Sequence, residues 1–108
     1  AYGVKALVDH RPSYDITVNH PEQTAFVKDL AIAFLGADNV IDLEHPLMGS
    51  EDFSYMLNQC PGCLFLLGTG APGHDVPLHH PEYDFNDDAL ALGAGFWTCL
   101  AETFLSKG

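Results

Sequence analysis

The chain has 108 residues, 47% hydrophobic and 18% charged, a size and balance that suit one small folded domain and exclude a compositionally disordered chain. Four basic residues oppose fifteen acidic ones, for a formal net charge of −11. That excludes nucleic acid as a partner, because binding there rests on Lys and Arg contacts to phosphate, and it argues equally against an anionic membrane surface. The acidity itself is read as solubility.

No apolar run is long enough to span a bilayer, and no basic start followed by an apolar stretch marks a signal peptide. The opening Ala1-Tyr2-Gly3 lacks an initiator Met, which suggests a processed chain with sequence missing upstream. Cys60, Cys63 and Cys99 are an odd number, against a fully paired disulfide framework, and the cytoplasm is the expected compartment.

Val4 to Asp9 reads as a strand ending in the turn-like Arg11-Pro12-Ser13, and Tyr14 to Val18 as a second strand or a continuation of the first. Pro21 and Glu22 are helix-initiation signals. Phe26, Val27, Leu30, Ala33 and Phe34 then recur at helical spacing until Gly36, so a helix is predicted from Pro21 to Leu35. Val40 to Leu43 reads as a short strand. Ser50 is placed to cap a short helix over 51–58, with Glu51 and Asp52 at its positive end. After the Pro61-Gly62 turn, Cys63 to Leu67 is a continuous apolar run of the kind buried on both faces of a sheet.

From Gly68 to Phe85 the chain is a loop, too long to be a mere connection in a small domain. Asn86 is placed to cap the last helix, with Asp87 and Asp88 in its first turn and Phe85 and Leu90 spaced as a hydrophobic staple. Leu90, Ala94, Trp97, Ala101 and Phe104 line one face, Cys99 reads as a packing residue, and Lys107-Gly108 as a stop. Gly93 to Gly95 predict close packing against a sheet. Alternating helices and strands make the class α/β, with a mixed sheet packed by helices.

Chemistry concentrates in the long loop, which holds His74, His79 and His80 among six histidines of the chain. Imidazole is the commonest metal ligand and the usual acid–base group near neutral pH. Cys60-Pro61-Gly62-Cys63 with His74 and His79 also gives Cys-x2-Cys-x10-His-x4-His, a superficial match to a structural zinc site with an irregular Cys-to-His interval. Glu51-Asp52 is an adjacent carboxylate pair that a helix dipole explains as readily as an active site does. Neither a Gly-x-Ser-x-Gly elbow nor a phosphate-binding glycine loop is present.

Two segments carry a resemblance. They are Pro46-Leu47-Met48-Gly49-Ser50-Glu51-Asp52-Phe53-Ser54-Tyr55 and Leu78-His79-His80-Pro81-Glu82-Tyr83-Asp84-Phe85-Asn86-Asp87, the second closing with Leu92-Gly93-Ala94. With Pro61-Gly62 and the run to Gly70 between them, the ordered set resembles the C-terminal region of metal-dependent amidohydrolases. These include hippurate hydrolases, N-acyl-amino-acid amidohydrolases and plant auxin-conjugate hydrolases, relatives of the aminoacylases and glutamate carboxypeptidases.

The resemblance implies a two-domain enzyme whose α/β catalytic domain carries two divalent ions, zinc or manganese, with an inserted lid domain that commonly mediates a homodimer. Residues 1–20 would be the last strand of the lid, and residues 21–108 the closing portion of the catalytic domain. His79 matches the metal-ligating His of the family's Leu-His-x-Pro pattern; His80, at the variable position, is the alternative. Glu51-Asp52-Phe53 matches an acidic motif that shapes the site or orients neighbours. Gly73-His74-Asp75 echoes an N-terminal metal motif without its Cys, so no ligand role passes to His74.

The implied reaction is hydrolysis of the amide joining an acyl group to an amino acid. Two metal ions would polarise the carbonyl and activate a water, and a Glu upstream of this chain would be the general base. A further partner is expected to fix the second ring nitrogen of His79. The chain alone is expected to be inactive. The competing readings are a small zinc-stabilised binding module using Cys60, Cys63, His74 and His79, and an α/β domain with no metal.

Overall fold

Pro21 at the first helical position has no N–H to leave unsatisfied, and its fixed φ starts α1, Pro21–Leu35, in the computed structural model, which describes residues 2–106. The helix ends where Gly36 takes φ 86° and its N–H returns to the carbonyl of Ile32. A 3-10 turn follows at Ala37–Asn39. Helix α2 is short, Phe53–Leu57, and α3 runs Asp88–Leu105. The predicted stop at Lys107-Gly108 lies outside the described residues. No helix among the described residues is long and apolar enough to cross a membrane.

The predicted mixed sheet is not there. Among the described residues all regular structure is helical, and the segments read as strands, 4–9, 14–18, 40–43 and 63–67, carry no β-ladder. The α/β class, with residues 1–20 as a strand ahead of it, is therefore corrected to a helical chain with extended connections. A strand exists only as a paired object: its N–H and C=O groups must meet those of a neighbour. Side-chain alternation supplies a surface but not the neighbour, and Leu7 and Ile16 stand 99% and 84% exposed.

Where one run does gain backbone partners, side chains provide several of them. The Asn19 amide brackets Leu64, its Nδ2 donating to the Leu64 carbonyl at 2.7 Å and its Oδ1 accepting the Leu64 N–H at 2.8 Å. Beside it, the His20 N–H donates to the Gly62 carbonyl at 3.0 Å, and the Gly62 N–H donates to His20 Nδ1 at 3.2 Å. An asparagine amide acting as a peptide unit satisfies one residue and does not propagate a ladder.

Among the described residues the buried apolar side chains are Leu57 of α2, 5% exposed, and Phe96 of α3, around which α1, α3 and the 63–67 run meet. Phe96 on α3 is 6% exposed, and its ring lies 5.4 Å edge-on from Phe65 and 5.8 Å from Phe34. Phe26 of α1 meets Phe104 of α3 at 6.0 Å. Gly93 and Gly95 make the approach possible: a Cβ on them would lie 3.2 Å from Leu67 Cδ2 and 3.3 Å from Phe34 Cζ. The close packing expected at these glycines is real, but the partners are a helix and an extended run, not a sheet.

The stripe that α3 covers passes through Gly93, Phe96, Leu100 and Thr103. This differs from the predicted face: Leu90, Ala94 and Ala101 are exposed, while Trp97 and Phe104, more than half exposed, reach Phe65 and Phe26 with one side of the ring. The Phe85 and Leu90 of the predicted staple are left largely open, at 73% and 69% exposed.

The accessible surface is 9449 Å² and the radius of gyration 18.7 Å, against about 5,900 Å² and about 13 Å for a compact chain of this size. Much of the apolar surface that a domain would bury is therefore uncovered in this chain.

Candidate functional site

The loop between Leu67 and α3 is built from tight turns. In Ala71-Pro72-Gly73-His74 the His74 N–H donates to the Ala71 carbonyl at 2.8 Å, and Gly73 has φ 86°. In Pro77-Leu78-His79-His80 the His80 N–H donates to the Pro77 carbonyl at 3.1 Å, and His79 has φ 72°. A positive φ confined to the third residue is the type II signature, a position that favours Gly. A further turn runs from His80 to Tyr83, whose N–H donates to the His80 carbonyl at 3.0 Å. Tyr83 and Phe85 pack edge to face at 5.2 Å.

These turns treat the histidines differently. His79 is exposed, and no hydrogen bond or ion pair engages its imidazole among the described residues, so the partner expected at its second nitrogen is not among them. His80 is exposed too, but its Nδ1 accepts the Glu82 N–H at 3.1 Å, tying the ring into the loop. His74 is half-buried, its Nδ1 in a long 3.5 Å contact with the Asp84 carbonyl across the loop.

Glu51 and Asp52 lie at the start of α2. Glu51 Oε1 accepts the Phe53 N–H at 3.1 Å, and its carbonyl accepts the Ser54 hydroxyl at 2.9 Å. Ser54 is fully buried, a polar residue whose importance the sequence did not signal. Helix α2 is shorter than the predicted 51–58, and Glu51 rather than Ser50 satisfies its first N–H. The carboxylate accepts a hydrogen bond from its own helix, and among the described residues no hydrogen bond or ion pair joins Glu51 or Asp52 to the histidine loop.

Among the described residues no three His, Cys, Asp or Glu side chains converge as a metal site. Cys60, Cys63, His74 and His79 are thus not brought together, which corrects the zinc-module reading; Cys60 Sγ lies 3.6 Å from the Met56 carbonyl and Cys63 Sγ 3.7 Å from its neighbour Leu64. An open imidazole such as that of His79 suits divalent zinc, whereas manganese favours carboxylate, carbonyl and water oxygens. Among the described residues His79 is not joined by two further donors. Two open grooves lie on the surface, one between α1 and α3 and one at the start of α3, and neither is lined by His79, His80, Glu51 or Asp52.

Asn86 has a role that its position alone did not reveal. The helix begins one residue later than predicted, with Asp87 in the cap position, yet Asn86 Oδ1 still accepts the Asp88 N–H at 3.1 Å. Its Nδ2 reaches back 17 positions and donates to the Thr69 carbonyl at 3.0 Å. One side chain closes the mouth of the histidine loop. The only sequence signal is Asn at the junction of a long loop and a helix.

Residues 4–103 match Peptidase family M20/M25/M40, and the chain belongs to that family. It is 36% identical over 87% of its length to thermostable carboxypeptidase 2 of Saccharolobus solfataricus, covering 23% of that protein. It is 30% identical over 94% of its length to IAA-amino acid hydrolase ILR1-like 4 of Arabidopsis thaliana, again covering 23%. N-acetyldiaminopimelate deacetylase of Streptococcus suis is 34% identical over 83% of the chain, 23% of that protein being covered. The chain thus spans about a quarter of the length of the curated relatives it matches. No solved structure gives a significant match.

Proposed function

We propose that this chain is part of a metal-dependent amidohydrolase that cleaves the amide bond of an N-acyl amino acid, with His79 as one ligand to a divalent ion. Family membership supports a hydrolase. The substrate class is supported by two relatives whose names describe an acyl group on an amino acid, an IAA-amino acid hydrolase and an N-acetyldiaminopimelate deacetylase. The carrying observation is His79 itself: an exposed imidazole, free of internal hydrogen bonds, held at φ 72° where glycine is favoured. Left-handed backbone at a non-glycine residue costs free energy, and such strain clusters at functional sites. His80, with Nδ1 committed to the Glu82 N–H, is the weaker candidate.

In this reading residues 1–20 close a lid domain, residues 21–108 close the catalytic domain, and the full protein is a cytoplasmic homodimer with two zinc or manganese ions. Glu51 and Asp52 shape the start of α2, and the general base and the remaining ligands lie outside this chain. The bound metal supplies charge that polarises the scissile carbonyl; the part of His79 is to donate one nitrogen lone pair from a fixed backbone.

The test is metal content and hydrolysis of N-acyl amino acids by the full-length protein, as wild type, His79→Ala and His80→Ala. Loss of one metal and most turnover is expected for His79→Ala, with a milder effect at His80. Activity lost at His80 alone moves the ligand by one residue, and wild-type behaviour of both variants overturns the reading.

A further inference from the structure

We infer that Asn86 is a positioning residue for the histidine loop, setting how firmly His79 is presented to a metal. The inference rests on the ligand reading of His79 given above. Three observations carry it. Asn86 uses both ends of its amide, with Nδ2 on the Thr69 carbonyl at 3.0 Å and Oδ1 on the Asp88 N–H at 3.1 Å. Those two partners are the mouth of the loop: Thr69 where the chain leaves the apolar run, Asp88 where α3 begins. Among the described residues, the hydrogen bonds that cross from one side of the loop to the other are few; besides that of Asn86, the longest-range one is the 3.5 Å approach of His74 Nδ1 to the Asp84 carbonyl.

The turn that carries His79 is held by local bonds, from Pro77 to His80 and from His80 on to Glu82 and Tyr83. It fixes the shape of the ligand's own backbone but not its place relative to the domain. Asn86 supplies that second constraint. Helix α3 is anchored through Phe96, and the Asn86 amide ties the far end of the loop to that anchor. An ion bound by residues from several parts of a protein is sensitive to where each ligand stands; groups that hydrogen-bond a metal ligand directly typically carry a 10- to 100-fold effect on affinity or activity, which sets the upper bound for a residue acting through the loop.

The chemistry of asparagine separates the two jobs. Asn, Asp and Ser cap helices about equally well, so Asn86→Asp and Asn86→Ser keep an oxygen for the Asp88 N–H. Neither retains the amide donor to Thr69. In the full-length protein, divalent zinc or manganese would be titrated into metal-free wild type, Asn86→Asp, Asn86→Ser and His79→Ala, with amide exchange of residues 70–85 followed in the metal-free state.

Both Asn86 variants are expected to stay folded with a slightly lowered melting midpoint, since one half-buried hydrogen bond is lost, to exchange faster across the loop, and to bind metal more weakly, by at most about 10- to 100-fold. Their lost turnover should return as metal is raised. His79→Ala should lose the site outright and not be rescued. Wild-type affinity in both Asn86 variants, beside lost metal in His79→Ala, overturns the positioning role and leaves the ligand reading standing. Unfolding of both variants makes Asn86 a stability residue and overturns the inference as well. Full metal binding by His79→Ala overturns the ligand reading, and the positioning role with it.

Discussion

Gly73 and His79 occupy the same place in two turns of one loop. Each is the third residue of its turn, each is left-handed, at φ 86° and 72°, and each is followed by a histidine whose N–H closes the turn. At Gly73 the backbone requirement is met by the residue that meets it without a Cβ. At His79 it is met by an imidazole, so the loop keeps a strained residue where glycine would be easier.

Replacing His79 separates its backbone from its ring. His79→Gly should make the full-length protein about 1 kcal/mol more stable than His79→Ala, because glycine takes positive φ without the Cβ penalty. Both should lose metal equally. Thermal melts in the metal-free state, paired with metal content, check this; equal stability of the two variants would show that the turn relaxes when the ring is gone.

The Asn19 amide predicts a larger loss than a surface asparagine. Asn19→Ala removes both bonds to Leu64 at once and leaves a half-buried N–H and C=O with partners to find. A loss of about 1–3 kcal/mol is expected by denaturant unfolding. Asn19→Asp should recover part of it, keeping an acceptor for the Leu64 N–H while facing the Leu64 carbonyl with a carboxylate.

Helix α3 should tolerate change very unevenly over four residues. Phe96→Ala, at a side chain 6% exposed between Phe34 and Phe65, should cost about 3–5 kcal/mol. Gly93→Ala should be nearly neutral. It gains about 1 kcal/mol of helix propensity, offset by a contact at 3.2 Å with Leu67 Cδ2, the end of a flexible side chain. Gly93→Leu has no such escape and should destabilise. Unfolding midpoints of the three variants in the full-length protein order these effects.

The 108-residue chain by itself should not hydrolyse hippurate or other N-acyl amino acids when supplied with zinc or manganese, since no three donors converge among its described residues. Purified chain assayed across added metal tests it; metal-dependent turnover lost in His79→Ala would mean that this chain assembles a site of its own.

Local chemistry was legible in the residues. Pro21, the apolar spacing of Phe26 to Phe34 and Gly36 marked α1 from first residue to last, and Asn86-Asp87-Asp88 marked the start of α3 to within one position. The Leu-His-x-Pro pattern at His79 and the acidic motif at Glu51-Asp52 marked the family, and the density of Gly and Pro marked the long loop. All of these are decided within a few residues, by φ preferences, missing N–H groups and side-chain oxygens near helix ends.

What only the tertiary structure decided concerns partners far along the chain. The apolar runs at 4–9 and 63–67 have strand composition, but pairing depends on a neighbour, and Leu64 meets the Asn19 side chain instead of a ladder. The covered stripe of α3 depends on where Phe34 and Leu67 approach, which placed Gly93 and Phe96 inward and left Leu90 and Ala94 outside. The reach of Asn86 to Thr69 was invisible for the same reason: a hydrogen bond across 17 positions is set by how the loop closes, and local spacing does not encode that closure.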